Sequence, residues 1–430
     1  MDGIARIVVV GGGFAGLWSA AAAARTADEL RVPVRITLVN RNDQHSIRVR
    51  NYEADLAATR VPLHGVLDPI GVSLVVGDVT DIDTARHAVH VGDTVLAYDK
   101  LILASGSELA RPALPGAEHL FDIDTYAGAM RLQAHFAALA ALAALPGPHA
   151  PPARPGRWTV VVVGSGATGV ELACELPARL RALLGEGEGE GKGEGKGEAE
   201  RARGMRVLLV DRNEQIAGHL GGAQAAIERA CRALGIELMP RTSLAAVAAD
   251  GVTLTNGTVI AAATVVWCAG MRASGLTARV PGDRDTQGRL LVDAYMRVQG
   301  VPDVFAAGDV AHASIDGVHP SVMSCQHARP MGRYAGYNAV CSIAGTAMRA
   351  LDIDWYTNII DLGPLGAVYA QGWDRVVVDD GMRAKATKQV INRERIYPPR
   401  DGDRAAIFAA AAAEVQRPPA LKPLGPDAAR

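Results

Sequence analysis

Two hexapeptides carry the clearest chemistry in the chain. Gly11-Gly12-Gly13-Phe14-Ala15-Gly16 and Gly164-Ser165-Gly166-Ala167-Thr168-Gly169 both fit G-x-G-x-x-G. In that spacing the first glycine makes a turn, the second leaves room for a diphosphate beside the backbone, and the third lets a helix pack closely on the preceding strand. The diphosphate charge then rests on the helix N-terminus, where peptide N–H groups lack partners. One such hexapeptide is common as plain structure; two, each after a strand and before a helix, point to two bound dinucleotides. The fingerprint is completed by an acidic residue at the end of the next strand, which accepts the ribose 2′-hydroxyl. Asp211 holds that place in the second unit, 42 residues after Gly169, and a low-complexity stretch over residues 185–204 accounts for 20 of them. Its charge disfavours a 2′-phosphate, so NADH is expected, with NADPH the alternative because the Arg212 guanidinium could accept a phosphate. Asn40, with Arg41 beside it, takes the same place in the first unit.

The elements that must position these loops are legible. Residues 7–10 form a β-branched run ending at Gly11, and the Ala-rich stretch 14–25 reads as a helix; residues 34–39 and 100–104 read as further buried strands. The plan restarts with a strand at 159–163, a helix at 170–184 and a strand at 206–210. This alternation predicts parallel α/β sheets. A Pro-rich loop is expected at 145–156, a surface insertion of alternating Gly and Glu or Lys at 185–204, and short strands at 358–362, 367–371 and 375–378 before a helix at 383–392. From 417 the Pro-rich tail reads as disordered.

Composition excludes several classes. With 44 Lys+Arg against 46 Asp+Glu the net charge is −2, which argues against nucleic acid or an anionic membrane as partner. Five scattered cysteines give neither a disulfide framework nor a zinc site, and a reducing cytoplasm fits them best. The longest apolar runs fall short of a spanning helix, and no secretion signal opens the chain.

The order of motifs resembles the two-dinucleotide-binding flavoprotein superfamily (pyridine nucleotide-disulfide oxidoreductase-like), and within it the type II NADH dehydrogenase-like branch. Besides the two loops, the marks are Tyr98-Asp99-Lys100-Leu101-Ile102-Leu103-Ala104-Ser105-Gly106, Val265-Val266-Trp267-Cys268-Ala269-Gly270, Val304-Phe305-Ala306-Ala307-Gly308-Asp309 and Val170-Glu171-Leu172 after the second loop. The resemblance implies an α/β fold with two Rossmann-like dinucleotide-binding domains and a smaller α+β C-terminal domain. It implies FAD on residues 1–123 and 285–345, NAD(P)H on 124–284, a C-terminal domain over 346–416, and Asp309 at the ribityl chain. Hydride would pass from nicotinamide to flavin, and electrons then go directly to a small-molecule acceptor. Redox cysteines like those of the disulfide reductases are missing from residues 1–173.

The stretch His319-Pro320-Ser321 through Ser324-Cys325-Gln326-His327-Ala328 matches the family helix whose N-terminus faces the flavin pyrimidine edge. Quinone-using members usually carry Ala-Gln-x-Ala-x-Gln there; this chain keeps Gln326 and Ala328 but has Cys325 and Pro330. Cys325, Gln326 and His327 are the catalytic candidates. Arg48, Arg50 and Asn51 stand where quinone reductases mostly have Gln, Leu and Leu, which suggests a more polar, even anionic, acceptor. Glu171 could meet the nicotinamide or simply favour the helix dipole. The basic stretch 383–404 reads as a solvated face or homodimer surface, and 405–415 is too Ala-rich for a membrane anchor. A second reading is a flavin-binding interaction protein of the apoptosis-inducing-factor-like kind, with incidental NADH oxidation.

Overall fold

β-Branched residues open the first unit, since strand β1 (Ala5–Val10) buries Ile7 to Val10 almost completely on both faces. The computed structural model describes residues 4–143, 155–184 and 204–421. Helix α1 (Phe14–Leu30) follows, then β2 (Val34–Asn40), β3 (Ser73–Val76) and β4 (Lys100–Leu103). After helix α2 (Tyr126–Ala143) the second unit repeats the plan with β5 (Thr159–Val163), α3 (Ala167–Leu183), β6 (Arg206–Val210), α4 (Gln224–Ala233), β7 (Glu237–Met239) and β8 (Thr264–Trp267). The chain then returns through β9 (Val304–Ala306) and helix α5 (Cys325–Ala344). It ends in β10 (Thr357–Asp361), β11 (Ala367–Gln371), β12 (Val376–Gly381), α6 (Met382–Val390) and α7 (Arg404–Ala410).

The strands form an all-parallel sheet in the order β9-β4-β1-β2-β3, a second parallel sheet β7-β6-β5-β8, and an antiparallel sheet β10-β11-β12. Because β9 pairs with β4, residues 304–306 complete the sheet that residues 5–103 begin. An antiparallel ribbon, Ser107–Leu109 against Met271–Ala273, joins the two units. It is reinforced by Ala110 N to Gly270 O at 2.8 Å and Trp267 Nε1 to Ala110 O at 3.0 Å.

Helices α1 and α5 touch backbone to backbone. A Cβ on Gly332 would lie 2.2 Å from Ala15 O, and one on Gly336 2.1 Å from Ser19 O. Ala335 and Ala339 fill the same buried face. Only small residues permit that distance, which seats the start of α5 beside the first glycine loop.

The C-terminal strands and helix match the sequence expectation closely. Arg48–Arg50 forms a turn of 3-10 helix. The basic stretch is not simply solvated, since Lys385 and Lys388 on α6 turn inward. The chain is seated as far as Leu421, with Arg417 Nη2 2.6 Å from Asp354 Oδ2 and Leu421 packed near Tyr369. The expected loop over most of 145–156, the insertion over 185–203 and the tail beyond 421 lie outside the described residues. No helix among the described residues is long and apolar enough to cross a membrane.

Gly336→Ala is expected to lower stability by about 1–3 kcal/mol through overpacking against the α1 backbone. A thermal midpoint equal to that of the parent protein would show that the helices part freely.

Candidate functional site

The first loop shows the signature of a dinucleotide cradle. A Cβ on Gly16 would sit 1.7 Å from Gly11 O, so helix and turn are in direct contact, whereas nothing lies within 4 Å of a Cβ on Gly13. That open side is where a diphosphate fits against the start of α1. Asn40 Oδ1 accepts from Gly12 N at 2.8 Å and fixes the loop. The His45 ring meets Gly12 O through Nδ1 at 2.9 Å and packs edge-on against Phe14 at 5.0 Å; burial lowers its pKa to about 4. Arg41 pairs with Asp78 at 2.8 Å on the surface. Ala104 O borders Gly11, and beyond it Ser105 Oγ is buried without a partner beside the left-handed Gly106. Gly308 closes the floor, since its Cβ would meet Ala15 Cβ at 2.8 Å and Ala328 Cβ at 3.4 Å. Ser324, at the N-cap position of α5, carries a second buried hydroxyl without a partner among the described residues. Open space and unsatisfied hydroxyls together fit a polar, diphosphate-bearing ligand such as FAD.

The second loop repeats the design. A Cβ on Gly169 would lie 1.9 Å from Gly164 O, and Gly166 has free space. Thr168 is exposed in the first turn of α3, and Gly270 lies exposed beyond β8. Asp211 Oδ2 accepts from both Ser165 N and Ser165 Oγ at 2.7 Å, and Oδ1 from Asn213 N at 2.8 Å. Burial opposes its charge, but these hydrogen bonds hold the carboxyl below the usual range. Asp211 thus does for this loop what Asn40 does for the first, while Arg212 points to solvent.

Between the loops lies a junction of charged groups that the sequence does not announce. Asp309 Oδ2 accepts from Ser107 Oγ at 2.6 Å, and that hydroxyl also accepts from Arg48 Nη1 at 2.9 Å. Burial pushes the Asp309 carboxyl up, with Ser107 opposing. Arg48 Nη2 is paired with Asp124, and Arg50 forks onto Glu53 at 2.8 and 2.6 Å. Asn51 Nδ2 donates to Ile123 O at 3.1 Å. The suggestion that Arg48 and Arg50 invite an anionic acceptor therefore does not hold, because both guanidinium groups are already matched by carboxylates.

Glu171, in the first turns of α3, is buried rather than solvent-facing. It is ion-paired with Lys388 of α6, and its Oε1 also accepts from Asp361 N at 3.1 Å. Burial raises the carboxyl pKa in spite of Lys388. Lys388 Nζ also donates to Ile359 O at 2.9 Å and lies 5.8 Å from the Tyr52 ring. Lys385 pairs with Asp361 at 3.0 Å. The only sequence signal for these lysines is their spacing of three, which places them on one face of α6.

At the start of α5 the three catalytic candidates separate in role. His327 is fully buried; its Nδ1 accepts from Val322 N at 2.9 Å, so the proton sits on Nε2, which has no partner. Burial lowers its pKa to about 4, leaving it neutral at pH 7. Gln326 Oε1 accepts from Thr357 N at 3.2 Å and Oγ1 at 2.9 Å, tying α5 to β10. Burial raises the Cys325 thiol, with Arg329 and Lys388 opposing and Asp309 adding to the rise. Beside this turn Trp373 is stacked on His319 at 4.2 Å and on Tyr356 at 4.6 Å.

Residues 5–332 match the family model described as pyridine nucleotide-disulphide oxidoreductase. NADH dehydrogenase-like protein MT1860 of Mycobacterium tuberculosis is 51% identical over 420 residues, covering 96% of this chain and 100% of that protein. Demethylphylloquinone reductase NdbB of Synechocystis is 26% identical over 411 residues, 92% of each chain. The fold is shared with NDH2 from Plasmodium falciparum, solved in complex with NADH, at a TM-score of 0.72 and 12% identity, covering 95% of this chain and 97% of that one. The chain therefore belongs to the pyridine nucleotide-disulphide oxidoreductase family, in its NADH dehydrogenase-like branch, and is an oxidoreductase that binds FAD and NADH.

Proposed function

We propose that the chain is an NADH:quinone-type oxidoreductase that works without a redox disulfide. Residues 1–123 and 285–345 hold FAD, 124–284 hold NADH, and 346–416 wall the acceptor side. The observation that carries this reading is the buried Glu171–Lys388 pair, which joins the start of α3 to the C-terminal unit. Relatives named as NADH dehydrogenase-like and as a demethylphylloquinone reductase support it.

Bound FAD supplies two-electron transfer between nicotinamide and acceptor. The chain's own residues bind, orient and manage protons. Reducing a quinone with NADH consumes one proton from the medium, since NADH brings two electrons and one proton while the hydroquinone carries two. Lys388 is placed to hand a proton to an acceptor oxygen, and Glu171 holds it there. Asp211 steadies the second loop and repels a 2′-phosphate, which favours NADH. Asp309, Ser107 and Arg48 position the flavin side, and His327 acts as a neutral prop for the turn that opens α5.

The cysteines have little part in this chemistry. All five are free. Cys174 is buried in the core, and the neighbouring Cys231 together with burial raises its thiol well above its ordinary value, so it is a poor nucleophile.

Rapid mixing with NADH should bleach the oxidised flavin faster than about 1 s⁻¹, and added quinone should restore it. Bleaching that no acceptor reverses would sink the proposal. Lys388→Met should cut quinone-dependent kcat by about 100-fold with a far smaller effect on bleaching; equal losses in both half-reactions would remove Lys388 from the acceptor step.

A separate test concerns His45 and His327. Both bind protons more weakly in the fold, at about 4, than when unfolded, at 6.5. Their contribution is therefore complete above 6.5 and is lost as pH falls toward 4, on the order of 2–3 kcal/mol each. Thermal midpoints measured from pH 7 to 4 should fall, and the fall should flatten in His45→Gln/His327→Gln; an unchanged slope would mean that the rings are not buried neutral.

A further inference from the structure

A pocket of about 100 Å³ opens between the first two turns of α5 and the chain segment 416–419, and it shares Cys325 and Gln326 with the candidate site. Its apolar walls come from Pro330, Ile391, Ile396 and the pair Pro418–Pro419. Its polar lining is unusual, because four arginines (Arg329, Arg333, Arg395 and Arg417) contribute and no aspartate or glutamate does.

The donors inside are under-used. Arg333 is 1% exposed, and among the described residues its Nη1 donates to Glu414 O at 3.5 Å while Nε and Nη2 are buried without partners. Arg329 Nε and Trp355 Nε1 are likewise buried and unpaired. Arg329 Nη2 reaches Gln416 Oε1 at 3.2 Å, and both guanidinium groups lie over Trp18, at 5.5 and 4.7 Å. The carboxylates nearby do not neutralise them. Asp354 is taken by Arg417, and the exposed Glu414 offers Arg333 only its backbone oxygen. Burial lowers Arg333 to about 9, with Arg329 adding and Glu414 opposing, and it lowers Arg329 to about 10, the direction expected of cations removed from water.

A buried cation with unmet donors is costly unless a partner arrives. We infer that this pocket binds an acidic group, a carboxylate or enolate, carried on a planar aromatic electron acceptor, with Arg333, Arg329 and Trp355 as its donors. The apolar walls suit the ring, and the arginine-rich lining free of carboxylates suits the acid. The inference rests on the reading of α5 as the acceptor-facing helix, and it narrows the acceptor from quinones in general to acidic ones.

The test uses the FAD-loaded protein and two probe pairs. Calorimetry compares 1-hydroxy-2-naphthoate with 1-naphthol, which differ by the carboxylate alone. Steady-state kinetics compare 1,4-naphthoquinone-2-carboxylate with 2-methyl-1,4-naphthoquinone. The acid is expected to bind about tenfold or more tightly than its neutral counterpart, and the acid quinone to show the higher kcat/KM, with a preference that weakens as salt rises. Arg333→Met should reduce the acid-to-neutral ratio of kcat/KM about tenfold. Without ligand it should keep or raise the thermal midpoint, because it removes an uncompensated charge; a merely structural arginine would lower it. Trp355→Phe provides a second variant, with a smaller loss of the same preference. Equal binding of acid and neutral probes overturns the proposal, as does inorganic phosphate displacing the naphthoate at similar concentration. Failure of the parent reading looks different, because no quinone of either kind would then be turned over while naphthoate binding could still be measured.

Discussion

The close crossing of α1 and α5 is the constraint on which the remaining geometry depends. Glycines at 332 and 336 let two helix backbones touch, and Gly308 lets the returning segment slip between Ala15 and Ala328. Any side chain at these points would move the start of α5 away from the first glycine loop. Residues from three distant parts of the chain then form one wall: the turn after β1, the turn after β9 and the first turn of α5. The catalytic geometry is thus set by missing atoms rather than by added bonds.

A second theme is how buried charge is treated. At the junction between the loops and the C-terminal unit these charges are answered: Arg48 by Asp124, Arg50 by Glu53, Lys385 by Asp361, and Glu171 by Lys388. Such matching keeps the region rigid and its protonation states defined, which suits a site that must align two ring systems. Around Arg333 the matching stops. The contrast within one molecule makes the unpaired arginines informative, since elsewhere the same chain answers a buried charge with an opposite one.

The sequence discloses the cradles because their determinants are local. A β-branched run, a glycine turn and an Ala-rich helix lie within 25 residues, and the second unit repeats them. The antiparallel C-terminal sheet is legible for the same reason. The acceptor side is not, because its partners are set by tertiary structure. Arg48 meets Asp124 from 76 residues away, and Glu171 meets Lys388 from 217 away. Asp211 follows directly on the strand of residues 206–210, yet its hydrogen bonds to Ser165 and Asn213 follow only from the fold. Read along the chain, Arg329 and Arg333 are two more helix cations; only the packing of α5 against Trp18 and the 416–419 segment reveals their burial.

The ribbon of Ser107–Leu109 against Met271–Ala273 bears on how the spent nucleotide departs. Swinging the two halves apart would break its backbone pairs along with the Trp267 and Ala110 hydrogen bonds beside it. The two halves are therefore tied at their junction, and any opening between them must first bend or break this ribbon, whereas a smaller local movement would leave it intact.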